Sequence, residues 1–272
     1  MGSVNWRGLA RKDFRDAVRS RSVVVLLAGF LLLYLLIGYA GVELVGDDFD
    51  AVVSLAGLAT AFVLPIVSLG VGYKSIIAAR SSGAIALALS LPHSRLDLAV
   101  GTFVGRAGVV LLPAVAGLTV AAAVAGVLTG PPPVAYLGLV AVTVLYGLAF
   151  LGIAVGVSMG VGTSRRATGG AFGAYILFVA LYDQLIQLLV FVLFRFQSVG
   201  LPDWARLAQH LGPPQAYSYV VSELFGDVSV VTQFTTTAPP GWFTAPVAVL
   251  VLAGWVGLSL AVGYRRFRRA EL

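Results

Sequence analysis

Few side chains in this sequence are equipped for chemistry, and most of them stand alone. Asp183 and Gln187 are one helical turn apart inside an apolar run, so a helix would carry both on one face. Counting 1.5 Å per residue from about residue 168 puts Asp183 roughly 22 Å along that helix, past its middle. A carboxylate there faces a cavity or a partner. Two readings stay open: the lining of a substrate path, or a hydrogen bond to a neighbouring helix or to the segment before the last apolar run. Ser158 stands in Gly156-Val157-Ser158-Met159-Gly160, a Gly-x-Ser-x-Gly match. A serine nucleophile needs a general base within hydrogen-bond reach. The histidines, His93 and His210, fall between apolar runs, and the strand–turn–helix setting of that motif is missing. Packing is the expected role of these residues, and an intramembrane hydrolase is disfavoured for want of a base. With no cysteine the chain has no disulfide, thiol nucleophile or thiolate metal site, and two separated histidines do not make a metal centre. Lys74-Ser75 follows Tyr73 rather than glycine, so the phosphate-loop pattern fails. The sequence thus predicts no catalytic residue, metal or cofactor site, and any nucleotide it uses would be bound by another chain.

The elements that must hold these residues are membrane spans. Hydrophobic residues make up 59% of the chain and charged ones 11%; mean hydropathy is +0.95. A soluble domain carries about 25% charged residues. Six apolar runs, roughly 22–42, 51–73, 98–128, 134–160, 168–194 and 243–264, each have the 20 or so residues that cross a bilayer. The first follows a leader of about 21 residues containing Asp13 and Asp16 and is longer than a signal-peptide core, so it reads as a retained span. Basic residues alternate by loop. Every Lys and Arg except Arg195 and Arg206 falls in the leader, in 74–97, at Arg106, in 161–167 or in the tail. Lys and Arg accumulate on the cytoplasmic side, which predicts a multi-pass plasma-membrane protein with both termini inside. The net charge of +6 is then attraction to anionic lipid headgroups, not to nucleic acid.

Within that frame, residues 5–20 form an amphipathic basic helix, with Trp6, Leu9, Ala10, Phe14, Ala17 and Val18 on one face, suited to the membrane interface. Residues 74–97 face inward and contain a short cytoplasmic helix, about 76–92, closed by Leu91-Pro92. Residues 195–242 face outward, with helices over Pro202 to Leu211 and Gln215 to Phe225 split by Gly212-Pro213-Pro214. Trp204, Tyr217 and Tyr219 suit the interface. Glycines four apart, at Gly101/Gly105, Gly152/Gly156/Gly160 and Gly169/Gly173, predict close helix packing inside one bundle, with a dimer face as the lesser reading. Pro65, Pro113 and Pro246 are expected to kink their helices.

This arrangement resembles the permease subunit of the ABC type-2 exporter superfamily. Arg7-Gly8-Leu9-Ala10-Arg11-Lys12-Asp13-Phe14-Arg15-Asp16, running to Arg19-Ser20-Arg21, is similar to the family's charged leader. Arg80-Ser81-Ser82-Gly83 and then Leu87-Ala88-Leu89-Ser90-Leu91-Pro92-His93-Ser94-Arg95 resembles its coupling helix. Gly101-Thr102-Phe103-Val104-Gly105-Arg106 resembles the Gly-Lys-x-x-Gly that opens span three, and Pro214-Gln215-Ala216-Tyr217 is a weaker match in the outer segment. The nearest flavour is that of permeases found with nitrous-oxide-reductase maturation genes.

The resemblance implies an all-α integral membrane fold: one permease domain over 1–272, six transmembrane helices, an N-terminal interfacial helix, a cytoplasmic coupling helix and an outer helical re-entrant segment before the sixth span. It implies a permease subunit of an ATP-driven exporter that forms its path with a second permease chain, as a homo- or heterodimer. ATP and Mg would sit on separate ATPase subunits. Arg80, Ser94 and Arg95 are the expected polar contacts to that ATPase, Gly83 the turn before them, and Leu87, Leu89 and Leu91 the apolar ones. Asp183 and Gln187 are the expected path lining. Ala79 and Ser81 stand where the family has glutamates, and Thr102 where it has lysine. These departures imply altered coupling, as in the degenerate half of a heterodimer. The alternative is a non-transporting subunit that couples ATP hydrolysis to an extracytoplasmic partner through 195–242.

Overall fold

The computed structural model describes residues 6–45, 49–81, 94–195, 200–226, 234 and 237–269. Among these the chain is helical, without strands. We number the helices α1 (Trp6–Val18), α2 (Arg21–Ala40, continued by a π-helical turn Gly41–Val45), α3 (Phe49–Gly72), α4 (Ser75–Ser81), α5 (Arg95–Thr129), α6 (Ala135–Gly160), α7 (Ser164–Leu193), α8 (Asp203–His210), α9 (Pro213–Phe225) and α10 (Ala245–Arg269). Six are long and apolar enough to cross a membrane: α2, α3 with α4, α5, α6, α7 and α10. A long helix satisfies its own backbone where no water can, which is why uninterrupted apolar sequence takes this form.

The ends of the helices follow local chemistry. Ser94 opens α5 with a capping box: its hydroxyl accepts from the Asp97 amide at 3.0 Å, and the Asp97 carboxylate accepts from the Ser94 amide at 3.0 Å. Thr163 caps α7 through the Arg166 amide. Pro213 and Pro214 form the first turn of α9 rather than a separator before it, because the amides they lack have no intrahelical partner there. Pro246 likewise lies in the first turn of α10, so the expected kink has no lost hydrogen bond to arise from. Pro65 and Pro113 do lie inside α3 and α5.

Helices pack in lipid without a hydrophobic force between them, so close approach of backbones does the work. Here glycine permits it. A Cβ on Gly156 would lie 2.5 Å from the Ser259 carbonyl oxygen, and one on Gly263 would lie 2.5 Å from the Gly156 Cα. α6 and α10 therefore meet backbone to backbone. Gly152 against Val256 and Gly160 against Arg266 extend the same seam. Gly38 lets α2 cross α5 at Ala121, and Gly117 makes room for the Tyr34 ring. Gly101, Gly105 and Gly108 form a floor on α5 for Leu9, Ala10, Asp13 and Phe14. Part of the apolar face of α1 thus packs on α5, with Val18 left exposed. By contrast, among the described residues nothing lies within 4 Å of a Cβ at Gly169 or Gly173.

α6 is the most enclosed helix, with Leu139, Tyr146, Ala149, Phe150, Leu151, Ala154 and Val155 all fully buried. α7 adds Ala171, Phe178 and Val179 to the core but leaves Phe172, Leu188 and Leu193 exposed. Gly263→Val places three extra carbons against the α6 backbone. Overpacking of this kind costs about 1–3 kcal/mol, and a thermal melt of the detergent-solubilised protein should show a clear drop, whereas Gly173→Val should leave the melt unchanged.

Candidate functional site

Functional groups gather at one end of the bundle and in its middle. The first is the basic end, where α1, α4, the start of α5 and the end of α10 converge. α4 is short, and the first amides of a helix lack intrahelical acceptors. Two of them, from Ile76 and Ile77, donate to a single oxygen, Ser158 Oγ on α6, each at 3.1 Å. All three residues are buried. The serine of the Gly-x-Ser-x-Gly match is therefore an acceptor that caps another helix. Its lone pairs are directed at backbone amides, and the described histidine, His210, is far along the chain on α8 and bonded elsewhere. Ser75 Oγ turns back to donate to the Gly72 carbonyl at 2.7 Å, which ties α4 to the end of α3.

Arg95, expected to face an ATPase, is half-buried and its guanidinium bonds to carbonyls of the same chain. Nη1 donates to the Phe267 carbonyl at 2.9 Å and to the Arg268 carbonyl at 3.0 Å, and the group lies 5.8 Å from the centre of the Phe267 ring. It closes the C-terminus of α10, where orphan carbonyls and the helix dipole favour a cation. Ser94 is exposed but acts as the N-cap of α5. Arg80 is half-buried in the last turn of α4. Gly83, Leu87, Leu89 and Leu91 lie outside the described residues, as does His93; of the coupling stretch 76–92, residues 76–81 are the described part. Arg106 pairs with Asp13, Nη2 to Oδ1 at 3.2 Å and Nε to Oδ2 at 2.9 Å, the second off-line for a hydrogen bond. This pair fixes α1 on α5. Burial pushes the Asp13 carboxyl up from its ordinary range, and the Arg106 guanidinium opposes that shift.

The middle of the bundle holds a set of paired tyrosine and threonine hydroxyls, whereas the buried hydroxyls of Ser68 and Ser218 have no hydrogen-bond partner among the described residues. Tyr34 and Thr60 share a hydrogen bond across α2 and α3. Tyr146 donates to the Ala61 carbonyl at 2.9 Å and Tyr136 to the Leu118 carbonyl at 2.8 Å. Tyr217 of α9 reaches Thr143 at 3.3 Å and stacks on Tyr146 with ring centres 4.5 Å apart. Tyr217 is fully buried, so it is a core residue rather than an interface anchor. Sequence reasoning passed over Tyr34, Thr60, Thr143 and Tyr146. Their signal was available, since a hydroxyl in the middle of an apolar span needs a partner.

α8 and α9 turn back into this core. Trp255 Nε1 donates to the Leu211 carbonyl at 2.8 Å, and Trp255 is about 15 Å from the start of α10. On the other side a π-helical turn, Ile176–Leu181, interrupts α7. The widened turn is followed at once by Tyr182 and Asp183. Tyr182 donates to the Ala208 carbonyl at 2.9 Å, and Gln215 Nε2 donates to Asp183 Oδ1 at 3.3 Å. Asp183 is thus hydrogen-bonded to the segment before the last span. Gln187, on the same face of α7, is exposed, as is Gln184. His210 is buried between the rings of Tyr219 and Phe243, with Nδ1 2.8 Å from the Arg206 carbonyl.

Comparison with known proteins agrees with this architecture. The ABC-2 family transporter model matches residues 7–272. The chain belongs to that family. It is 32% identical over 276 residues to the probable ABC transporter permease protein NosY of Stutzerimonas stutzeri, covering 96% of this chain and 97% of that one. It is 27% identical over 280 residues to the protein of the same name from Pseudomonas aeruginosa, covering 97% and 98%. The protein is a membrane permease subunit of an ABC transporter, a multi-pass protein of the plasma membrane that associates with ATPase subunits. Within the permease, the Gly101/Gly105 motif has a physical meaning: it is the floor on which the charged leader docks.

Burial lowers the His210 pKa from its ordinary 6.5. The folded permease therefore favours the neutral ring, while the unfolded chain takes up a proton as pH falls through about 6.5, and stability is lost on the acid side. The protection factor of α8 amides, with the intrinsic pH dependence of exchange divided out, should fall between pH 7 and pH 5.5. His210→Asn, which keeps a donor near the Nδ1 position, should flatten that dependence.

Proposed function

We propose that this chain is the membrane half of an ATP-driven exporter, paired with a second permease chain, with two separate ATPase subunits docked on the basic end. One observation carries the reading. The centre of the single chain is filled by Tyr146, Phe150, Tyr217, Leu64, Leu118 and Leu139, each under 2% exposed. Polar Gln184 and Gln187 meanwhile lie on the uncovered face of α7, a costly position against lipid. A path between two chains, bordered by α7, answers both facts. In that reading Gln187 lines the path, and Asp183 orients it through Gln215.

The distribution of Arg and Lys supports a cytoplasmic basic end with both termini inside. ATP and Mg then belong to the partner ATPases. Arg80, Gly83, Leu87, Leu89 and Leu91 are the proposed docking contacts. Ser94 and Arg95 contribute indirectly, by holding the ends of α5 and α10 in place. ATP can shift the spans only through a difference in affinity between two arrangements of them. The α8–α9 hairpin favours one further reading. Its hydrogen bonds to α7 and α10 at mid-depth would let the same motion drive an extracytoplasmic partner on 195–242.

The chain has no native cysteine, so a single Gln187→Cys is a clean probe. Mild oxidation in native membranes should give a covalent permease pair, linked to itself in a homodimer or to a different chain carrying the matching cysteine in a heterodimer. A Leu250→Cys control, on the exposed face of α10, should stay monomeric. Absence of any linked pair would overturn the two-chain path. Affinity purification in mild detergent should bring down the ATPase, and Arg80→Glu should reduce its recovery several-fold. Arg95→Glu is unsuited to that test, because it would also unseat the end of α10.

A further inference from the structure

The hydrogen bonds of α4 raise a question the docking reading leaves open: which contact carries a push on α4 into the spans. We propose that Ser158 is the positioning residue that joins α4 to the α6–α10 pair, so that the three helices move as one body when an ATPase acts on the basic end. The proposal rests on the docking reading above.

Three facts support it. First, two backbone amides of α4 are tied sideways to one buried oxygen. The Ile76 and Ile77 amides both end on Ser158 Oγ at 3.1 Å, across more than 80 residues of chain. Ile76 and Ile77 are 2% exposed and Ser158 1%. No solvent reaches the joint to replace a broken bond, and a buried amide left unpaired is costly. α4 therefore cannot part from α6 without breaking both bonds together. Second, the joint sits beside a close backbone-to-backbone contact of α6 with α10. Ser158 is two residues from Gly156, whose backbone touches Ser259 and Gly263 of α10. A displacement of α6 at Ser158 is passed to α10 by steric contact, since packed backbones do not compress. Third, the neighbouring ties do not duplicate it. Ser75 binds α4 back to α3 through the Gly72 carbonyl, and Arg95 holds the far end of α10 to α5.

The test uses the permease assembled with its ATPase subunits in lipid nanodiscs, with amide hydrogen–deuterium exchange measured with and without trapping by ADP and vanadate. In the wild type, trapping should alter exchange in α4 and in α10 together. In Ser158→Ala, Ile76 and Ile77 should exchange about tenfold faster. The trapped-state response should then stay in α4, with that of α10 reduced several-fold while the ATPase remains bound and hydrolyses ATP. Ser158→Thr, which keeps the oxygen, should restore the α10 response; a purely steric role for the serine predicts no such rescue. If the alanine variant does not assemble, Ser158→Cys offers nearly the same shape with a weaker acceptor and should show the same loss in smaller degree. An α10 response equal to the wild type in Ser158→Ala or in Ser158→Cys overturns the proposal. A wild-type complex that binds no ATPase, or whose spans do not respond to trapping, overturns the docking reading itself, and the two failures are told apart by the wild-type sample.

Discussion

Inside a bilayer a hydroxyl or an amide has no water to fall back on, and that constraint organises the interior of this permease. Tyr34 is paired with Thr60, Tyr146 with the Ala61 carbonyl, Tyr136 with the Leu118 carbonyl and Tyr217 with Thr143. Each pair crosses from one helix to another, so satisfying the polar groups also fixes which helices are neighbours. The glycines act in the same direction by a different route: they let backbones approach until van der Waals contact replaces the missing hydrophobic force. Hydrogen bonds choose the partners and glycine sets the distance.

α6 is where these two devices meet. Toward the basic end it accepts the α4 amides through Ser158 and lies against α10 through Gly156. At mid-depth it receives α9, through the stacking of Tyr146 on Tyr217 and the contact of Thr143 with the Tyr217 hydroxyl. A single rigid helix thus touches both the region where an ATPase is proposed to act and the hairpin that leads to the other side. α7 is joined to the rest through Phe178, which meets Phe150 and Trp255, and through Tyr182 and Asp183 just after a π-helical turn, while much of its outer face is exposed. π-bulges are common at functional positions because they free local backbone geometry. The division into a packed body and a partly exposed α7 suits a protein that must alternate between arrangements.

Much of this was legible from the residues. The six spans, the leader helix and the two short helices before the last span follow from apolar run length, charge and turn residues, because each of those signals is local. The chain's lack of cysteine was plain from its composition, whereas the role of Ser158 as a cap was not. Partners were harder. Asp183 could be seen to need one, but that it is Gln215 depends on how the hairpin folds back. Arg95 read as a docking residue because the stretch ending in Ser94-Arg95 resembles the family's coupling helix. Its guanidinium turned out to close α10, more than 170 residues away. Tyr217 carried the mark of an interface residue and is buried, for the same reason: local composition does not say which side of a hairpin faces the core.

The sequence by itself determined the class of the molecule, since a chain this apolar and this poor in charge has no stable state in water and only helices can carry its backbone through lipid. It also determined which loops share a side, because Lys and Arg act over short stretches of chain. Only the tertiary structure decided which glycines are used: Gly156 and Gly263 form a seam while Gly169 and Gly173 stand open at the same spacing. It likewise decided that Ser158 is a cap rather than a packing residue or a nucleophile. The physical reason is one of range. Helix formation and membrane insertion are settled within about 20 residues, whereas a hydrogen-bond partner or a close backbone crossing is settled by whichever distant segment arrives at that depth.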